Sequence, residues 1–316
     1  ALLSPQHTPN DRGLRDTGAL RFCGRIPPMG KKSRRKQAHK RPSTLYVPPL
    51  NPRPFAGLAN EPELAAGREL LPAATLRVSA TEGDVSKPVT FVTIAPGNAQ
   101  GVVRGDGEIL VSLQSRSRTA DASHDLGLVT SKLLKADPGT VIDRLDLRQR
   151  GPQLQDLIGE ASGEFRVEED LGFWLSADER TDAAEEAIRQ SRAEITPCEL
   201  VPGQRATFWT RMNADFVRIV LDAEEDAVFD GLARLRGRGE DIISGDVEAR
   251  FIGAFRMLGL VTPVWEFSRR VSADEIAEPV AALRERIDAA VADDSPLTPE
   301  ARRAREGIVS RQVSVR

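Results

Sequence analysis

"VWEFSRRVSADE" (264–275) stands between a β-rich run and a long amphipathic stretch, and a shorter relative, "FWLSADE" (173–179), stands earlier in the chain. In each, Ser-x-x-Glu after a Trp-bearing strand reads as a capping box. The Ser hydroxyl takes a backbone N–H three residues on, and the Glu carboxylate reaches back to the Ser N–H. "LLPAATL" (70–76) and "EITPCEL" (194–200) likewise open the runs leading to these marks. Four-residue capping matches recur by chance, so the tetrapeptide alone decides little. The order of elements between the marks decides more: strand-strand-strand-helix, strand-strand-helix is legible twice. The expectation is an α+β fold of two related βββα-ββα halves packed as one body, over 55–196 and 197–293, with a short helix and tail over 294–316.

In the first half, "TLRVSA" (75–80) and "VTFVTIA" (89–95) are β-rich runs, and "GVVRGDGEILVSL" (101–113) reads as a hairpin. Gly105-Asp106-Gly107 supplies the positive-φ positions of its turn. "SHDLGLVTSKLLK" (123–135) follows as a helix capped by Ser123, with Leu126, Val129 and Leu133 on one face. "QLQDLI" (153–158), a strand-like "FRVEEDLGFWLS" (165–176) and a helix over about 179–194 complete it. In the second half, "CEL" (198–200), "ATFWTRM" (206–212) and "FVRIVLD" (216–222) read as strands before a helix over 224–238. Asp222 is its expected cap. Glu224, Glu225 and Asp226 lie at its positive end, and Arg234, Arg236 and Arg238 at its negative end before Gly239. "ARFIGAF" (249–255) and "TPVWEFS" (262–268) precede a final long helix with a stripe of Ile276, Val280, Leu283, Ile287 and Val291, Pro279 falling in its first turn. Thr298-Pro299-Glu300 starts a short helix, and "IVSRQVSVR" (308–316) is either a docked strand or a free tail.

The chain has 316 residues, 40% of them hydrophobic, enough for a sizeable core. Its net charge of −3 hides a segregation: residues 1–28 carry +2, residues 29–54 carry +8 with no acid, and 55–316 carry −13. Residues 1–28 show neither periodicity and read as disordered, an upstream extension before a natural start at Met29. Residues 29–54 read as a disordered tail, basic and then Pro-rich: Pro42, Pro48, Pro49, Pro52 and Pro54 favour an extended tether, so folded structure is expected from Phe55. Two cysteines, Cys23 and Cys198, exclude a disulfide framework. No apolar run approaches bilayer-spanning length and no secretory leader is legible, which points to the cytoplasm.

Catalytic signatures are missing from the sequence. It has no phosphate-binding Gly loop before a helix, no HExxH and no paired CxxC. His7 and His39 lie in the head, leaving His124 beside Ser123 and Asp125; triad members meet from distant parts of a chain, so capping is expected for Ser123 and Asp125 and exposure for His124. Cys198 reads as a small buried hydrophobe rather than a nucleophile. Glu168-Glu169-Asp170 reads as a solvated loop or edge, Glu224-Glu225-Asp226 as a helix-dipole feature, and Trp174, Trp209 and Trp265 as core. The basic run is different, because no fold explains its composition. Lys31, Lys32, Arg34, Arg35, Lys36, Lys40 and Arg41 put seven cations into eleven residues, enough to attach to a polyanion by counterion release.

"MGKKSRRK" (29–36), "RPFAGL" (53–58), "RELLPAAT" (68–75), "LQDLI" (154–158), "GAFR" (253–256), "PVWEF" (263–267) and "LTPEARRAREGIVSRQVSVR" (297–316) together resemble an uncharacterised actinobacterial family, a domain of unknown function, over about 29–316. Some of its relatives carry a cysteine-rich SEC-C zinc motif near the N-terminus and labels such as preprotein translocase or topoisomerase II. The SEC-C cysteines are absent here, and the single tyrosine, Tyr46, falls in the expected tether, so neither zinc nor either activity transfers. The resemblance implies no catalytic residue. The expectation is a non-enzymatic cytoplasmic binding or adaptor protein with no catalytic, metal or cofactor residues, attached through 31–41 to nucleic acid or the ribosome, with a protein partner for its body. The alternative is an enzyme of unrecognised type with its site in a cleft between the halves.

Overall fold

A computed structural model describes residues 45–310 and 313–314. The expectations for 1–44, among them the disordered head and the polycationic run, lie outside the described residues.

Helix α1 (Glu61–Glu69) leads into strand β1 (Ala74–Glu82), where alternation turns Leu76, Val78 and Ala80 into the core and Arg77 and Ser79 outward. β2 (Val85–Val92) pairs with it antiparallel. β3 (Gly101–Val103) and β4 (Ile109–Ser112) form the expected hairpin, with Gly107 at φ +89° in its turn. Helix α2 (Ala122–Leu134), β5 (Val141–Ile142), helix α3 (Leu154–Ile158) and β6 (Glu164–Val167) complete a six-stranded sheet of order β5-β3-β4-β2-β1-β6. Helices α1, α2 and α3 bury Leu64, Leu126, Val129, Leu133, Leu154 and Leu157 in the same core as Leu76, Phe91 and Val111 of the sheet. Beyond β6 runs helix α4 (Asp182–Glu194).

The second sheet takes β7 (Cys198–Leu200), β8 (Thr207–Arg211) and β9 (Asp215–Ile219), then, after helix α5 (Glu225–Arg238), β10 (Ile242–Ile243), β11 (Ala249–Met257) and β12 (Leu260–Phe267). Its order is β10-β11-β12-β9-β8-β7. Helices α6 (Ala277–Ala292) and α7 (Pro299–Ser310) follow, and β13 (Val313–Ser314) lies parallel along β11; of the run 308–316, residues 308–310 thus close α7 and 313–314 dock as a strand. Trp209, Val217, Ile219 and Trp265 on one face of the sheet meet α5 and the expected stripe Ile276, Val280, Leu283 and Ile287. From the other face Cys198, Phe208, Val220, Met257 and Leu260 enter the core of the first half. The protein is α+β, and its halves share one apolar core.

The wiring does not confirm the duplication read from element order: both sheets set two antiparallel hairpins side by side, β1-β2 beside β3-β4 and β8-β9 beside β11-β12, but β2 runs parallel to β4, whereas β9 and β12 are antiparallel. Each SADE segment closes only a turn. Ser176 and Glu179 form a reciprocal box around Ala177–Glu179, but α4 begins later, capped by Thr181. Ser272 accepts from the Glu275 N–H at 3.2 Å, while the Glu275 carboxylate pairs with Arg269 instead of returning.

Three local expectations are corrected. Trp174 sits in a 3₁₀ turn, Gly172–Trp174, rather than a strand, because the Asp170 carboxylate accepts the Gly172 N–H at 2.8 Å and bends the chain. Helix α2 starts one residue early: Asp121 caps it, accepting from the N–H groups of Ser123 and His124 at 3.0 and 3.3 Å. Asp222 does not cap α5, whose N-cap is Glu224; an ion pair with Arg53 holds it.

That arginine belongs to a stretch expected to be free tether. Residues 45–54 instead form a strap on the body, extended as their prolines dictate. The Tyr46 N–H bonds the Arg148 carbonyl, and the Asn51 N–H bonds that of Ala120, at 3.2 and 3.0 Å. The Arg53 fork closes on Glu61 at 2.7 and 3.1 Å and reaches Asp222 and Glu224 at 2.8 and 3.0 Å, tying strap, α1 and the entry to α5 together. The Glu61 side chain is 3% exposed, so losing its cation leaves a buried carboxylate unpaired. Arg53→Met is expected to cost about 2 kcal/mol, read as a lower urea midpoint with unchanged slope. An unshifted midpoint would mean that the clamp contributes nothing.

Candidate functional site

Strand alternation has a second consequence on the first sheet. Thr75 and Arg77 of β1, Thr90 of β2, Leu110 of β4, and Glu164 and Arg166 of β6 share its outer face, and the β3–β4 turn adds Arg104 and Glu108. Segment 168–175 folds back over them, bringing Glu168 and Phe173, and a cleft of about 290 Å³ remains between. Arg104 fixes this roof: it donates to the carbonyls of Phe173 and Leu175 at 3.1 and 3.2 Å and to Asp106 and Glu108 at 2.6 Å each. The Trp174 indole N–H adds a bond to the Ile94 carbonyl at 2.7 Å. The Arg104 guanidinium, with the Glu108 N–H, holds the Asp106 carboxyl below the usual carboxylate range.

The floor is a lattice of hydrogen bonds. Glu108 accepts from Thr90 Oγ1, Arg77 and Arg104, and Glu168 from Thr75 Oγ1 at 2.7 Å. Arg166 pairs with Glu164. Both hydroxyls are therefore donors to carboxylates, and neither histidine nor cysteine lines the cleft. Arg77 and Arg166 are half exposed or more, so their remaining N–H groups face solvent. Such a set suits recognition of a polar ligand by charged forks better than proton transfer. A second concavity, a groove of about 570 Å³ along the edge of the other sheet, runs from Ile242 and Ile243 to Glu266 and Ser268.

The residues singled out by sequence have other duties. His124 is fully buried rather than exposed, because the strap lays Tyr46 over its ring at 5.2 Å. Its Nε2–H donates to the Gln149 carbonyl at 2.8 Å, which assigns the proton to that nitrogen. Asp125 accepts from the Thr119 N–H and hydroxyl at 2.7 and 2.6 Å, and Ser123 bonds Gln155 and the Leu154 N–H, so the three neighbours form no relay. Cys198 is buried, its Sγ 3.5 Å from Thr210 Oγ1, and burial pushes its thiol up, away from thiolate reactivity. Glu225 pairs with Arg256 and Asp226 with Arg305, while Glu169 pairs with Arg192. Trp209 and Trp265 are core; Trp174 belongs to the roof of the cleft. Among the described residues no group of His, Cys, Asp and Glu is arranged to hold a metal ion, and no helix is long and apolar enough to cross a membrane. Lys31 to Arg41 lie outside the described residues.

Residues 54–316 match a family of unknown function, DUF5926. The chain belongs to that family. The matched span takes in both sheets, every helix described and the whole cleft, and it begins next to Arg53, so the polycationic run 31–41 lies ahead of it. No curated protein and no solved structure matches the chain. Sequence reasoning missed the cleft because its charged residues come from two strands, a turn and the segment after β6, one or two from each. No local spacing marks them.

Proposed function

We propose that this DUF5926 member is a non-enzymatic binding protein that attaches to nucleic acid, free or in the ribosome, through residues 31–41, while its body serves as the adaptor. One observation carries the reading: seven cations and no acid in eleven residues, set ahead of the family span and of a body whose residues 55–316 carry −13. A run so charged neutralises phosphates without needing a fold of its own. Two features of the body support binding over catalysis. The halves meet through the apolar core of Phe165, Phe208, Val220 and Leu260, and the concavity of about 190 Å³ at their junction, between Glu168, Glu169, Arg192 and Glu199, has its one cation paired with Glu169. The charged cleft that does exist pairs its carboxylates with hydroxyls and guanidiniums.

The test is retention on RNA and on ribosomes with and without residues 29–41, across a salt series. Full engagement of seven cations on a single strand gives a slope of log affinity against log salt of about −5. The deletion is expected to remove most of that slope and to weaken binding at least about a hundredfold at low salt. Equal retention of the two chains would dispose of the proposal.

A further inference from the structure

The turn joining β8 to β9 lies between arginines from three places in the chain, Arg211 and Arg270 on the Asp215 face of the sheet and Arg218 on the opposite face with Thr210 and Phe208. Arg211, at the end of β8, donates to both Asp215 carboxylate oxygens at 3.2 Å and to the Val271 carbonyl at 2.8 Å. Arg270, from the loop after β12, reaches Asp215 at 2.6 Å and the carbonyls of Met212 and Asn213 at 3.2 Å. Arg218, on β9, donates to Thr210 Oγ1 at 2.7 Å and approaches Met212 Sδ at 3.4 Å. Asp215, whose side chain is wholly buried, faces Arg211 and Arg270, and the charge of Glu199 also reaches Arg211. Two further acids have partners of their own: Glu275 pairs with Arg269, and Glu266, across from Phe216 on the Arg218 face of the sheet, with Arg250. Arg211 and Arg270 are thus matched by carboxylates, and Arg218, on the other face, is the cation of this turn that meets none among the described residues.

Arg218 is the telling member. It is half-buried, and among the described residues no carboxylate pairs with it; its partners are a hydroxyl and a thioether. Burial pulls its pKa down and outweighs the opposing effect of Cys198. A partly desolvated guanidinium without a counter-charge is costly, and an oxyanion docking on its fork removes the cost. The Phe216 ring lies 5.9 Å from the guanidinium carbon, and Met212 is 51% exposed beside it, an apolar footing for a base or ribose.

We propose that this turn, centred on Arg218, is a second contact surface for the phosphodiester backbone of a nucleic acid, on the folded body rather than the tail. The inference rests on the tail's attachment to the same polymer, which raises the local concentration of phosphate at a site that alone binds weakly. A membrane surface is disfavoured because Met212 is the one large apolar side chain exposed on the turn among the described residues, too little to insert.

The experiment measures anisotropy of a labelled oligouridylate against four chains: the full chain, Arg218→Gln, the 29–41 deletion, and the two combined. Arg218→Gln keeps a donor for Thr210, and Arg218→Lys serves as a second variant that retains the charge without the fork. Arg218→Gln is expected to weaken binding about fivefold and to lower the salt slope by about 0.7, in the full chain and in the deletion alike, with Arg218→Lys recovering the slope. An Arg218→Gln chain with the parent's affinity and slope overturns the inference, even where the deletion abolishes binding and the tail reading stands. Conversely, a deletion without effect removes the tail reading while the Arg218 arm is still scored on its own. Binding of the chain to anionic vesicles that Arg218→Gln weakens, with RNA binding unchanged, also overturns it.

Discussion

Gly127→Ala is expected to destabilise the protein by about 3 kcal/mol, although the same exchange in an ordinary helix interior stabilises by about 1 kcal/mol. Gly127 lies in the middle of α2, where its conformation is helical and any residue would serve. What excludes a side chain is contact. A Cβ at this position would sit 2.3 Å from the Pro152 carbonyl oxygen, 2.8 Å from Gln153 C and 3.0 Å from Leu154 N. All three are backbone atoms, so no rotamer change relieves the overlap. Helix α2 must then separate from the segment that carries α3, loosening Leu126 and Leu128 from Leu154 and Leu157 and stretching the bond from the Leu154 N–H to Ser123. Urea unfolding at neutral pH reads the loss as a lowered midpoint. A midpoint equal to or above that of the parent would show that the helix sits farther from Pro152 than described.

Asp215→Asn is expected to cost about 3 kcal/mol at neutral pH, and the cost is expected to shrink in acid. Burial pushes this carboxyl's pKa up. Arg211, the Val271 N–H and Arg270 together outweigh it, so the folded-state value lies below the usual one. The sign follows: a depressed carboxylate pKa gives stability that is present above the unfolded-state value of about 3.9 and is lost as pH falls through the lower folded value. Asparagine retains an acceptor for Val271 but turns an N–H₂ towards guanidiniums that can only donate. Unfolding midpoints of parent and variant at neutral pH and near pH 3 should therefore converge in acid. A gap independent of pH would show that the carboxylate's charge does not contribute.

How much was legible follows from the range over which each signal acts. The strands read from "TLRVSA", "ATFWTRM" and "ARFIGAF", the hairpin turn at Gly107, the helix end at Gly239 (φ +73°) and the stripe Ile276–Ile287 were all available locally, because strand alternation, helical periodicity and positive φ are properties of a few consecutive residues. Both SADE segments were read as capping boxes; only Ser176 and Glu179 form one, and it closes a single 3₁₀ turn, because continuation into a helix depends on what the next residues pack against. His124 was misjudged for a similar reason. Its neighbours at the helix start are polar, but the strap that buries it arrives from Tyr46, far away in sequence.

The amino-acid sequence by itself determined the α+β class, the extents of most elements, the segregation of charge between residues 29–54 and the body, and the lack of a legible catalytic motif. Tertiary structure alone decided the rest. Strand order and direction, the shared core of the halves, the cleft over Arg104 and Glu108, and the isolation of Arg218 all depend on pairs of residues distant in the chain. Periodicity says which face of a strand is buried, but not which neighbour covers it. A carboxylate and a guanidinium attract equally in any arrangement, and only the packed backbone determines that Glu61 meets Arg53 while Arg218 meets no acid among the described residues.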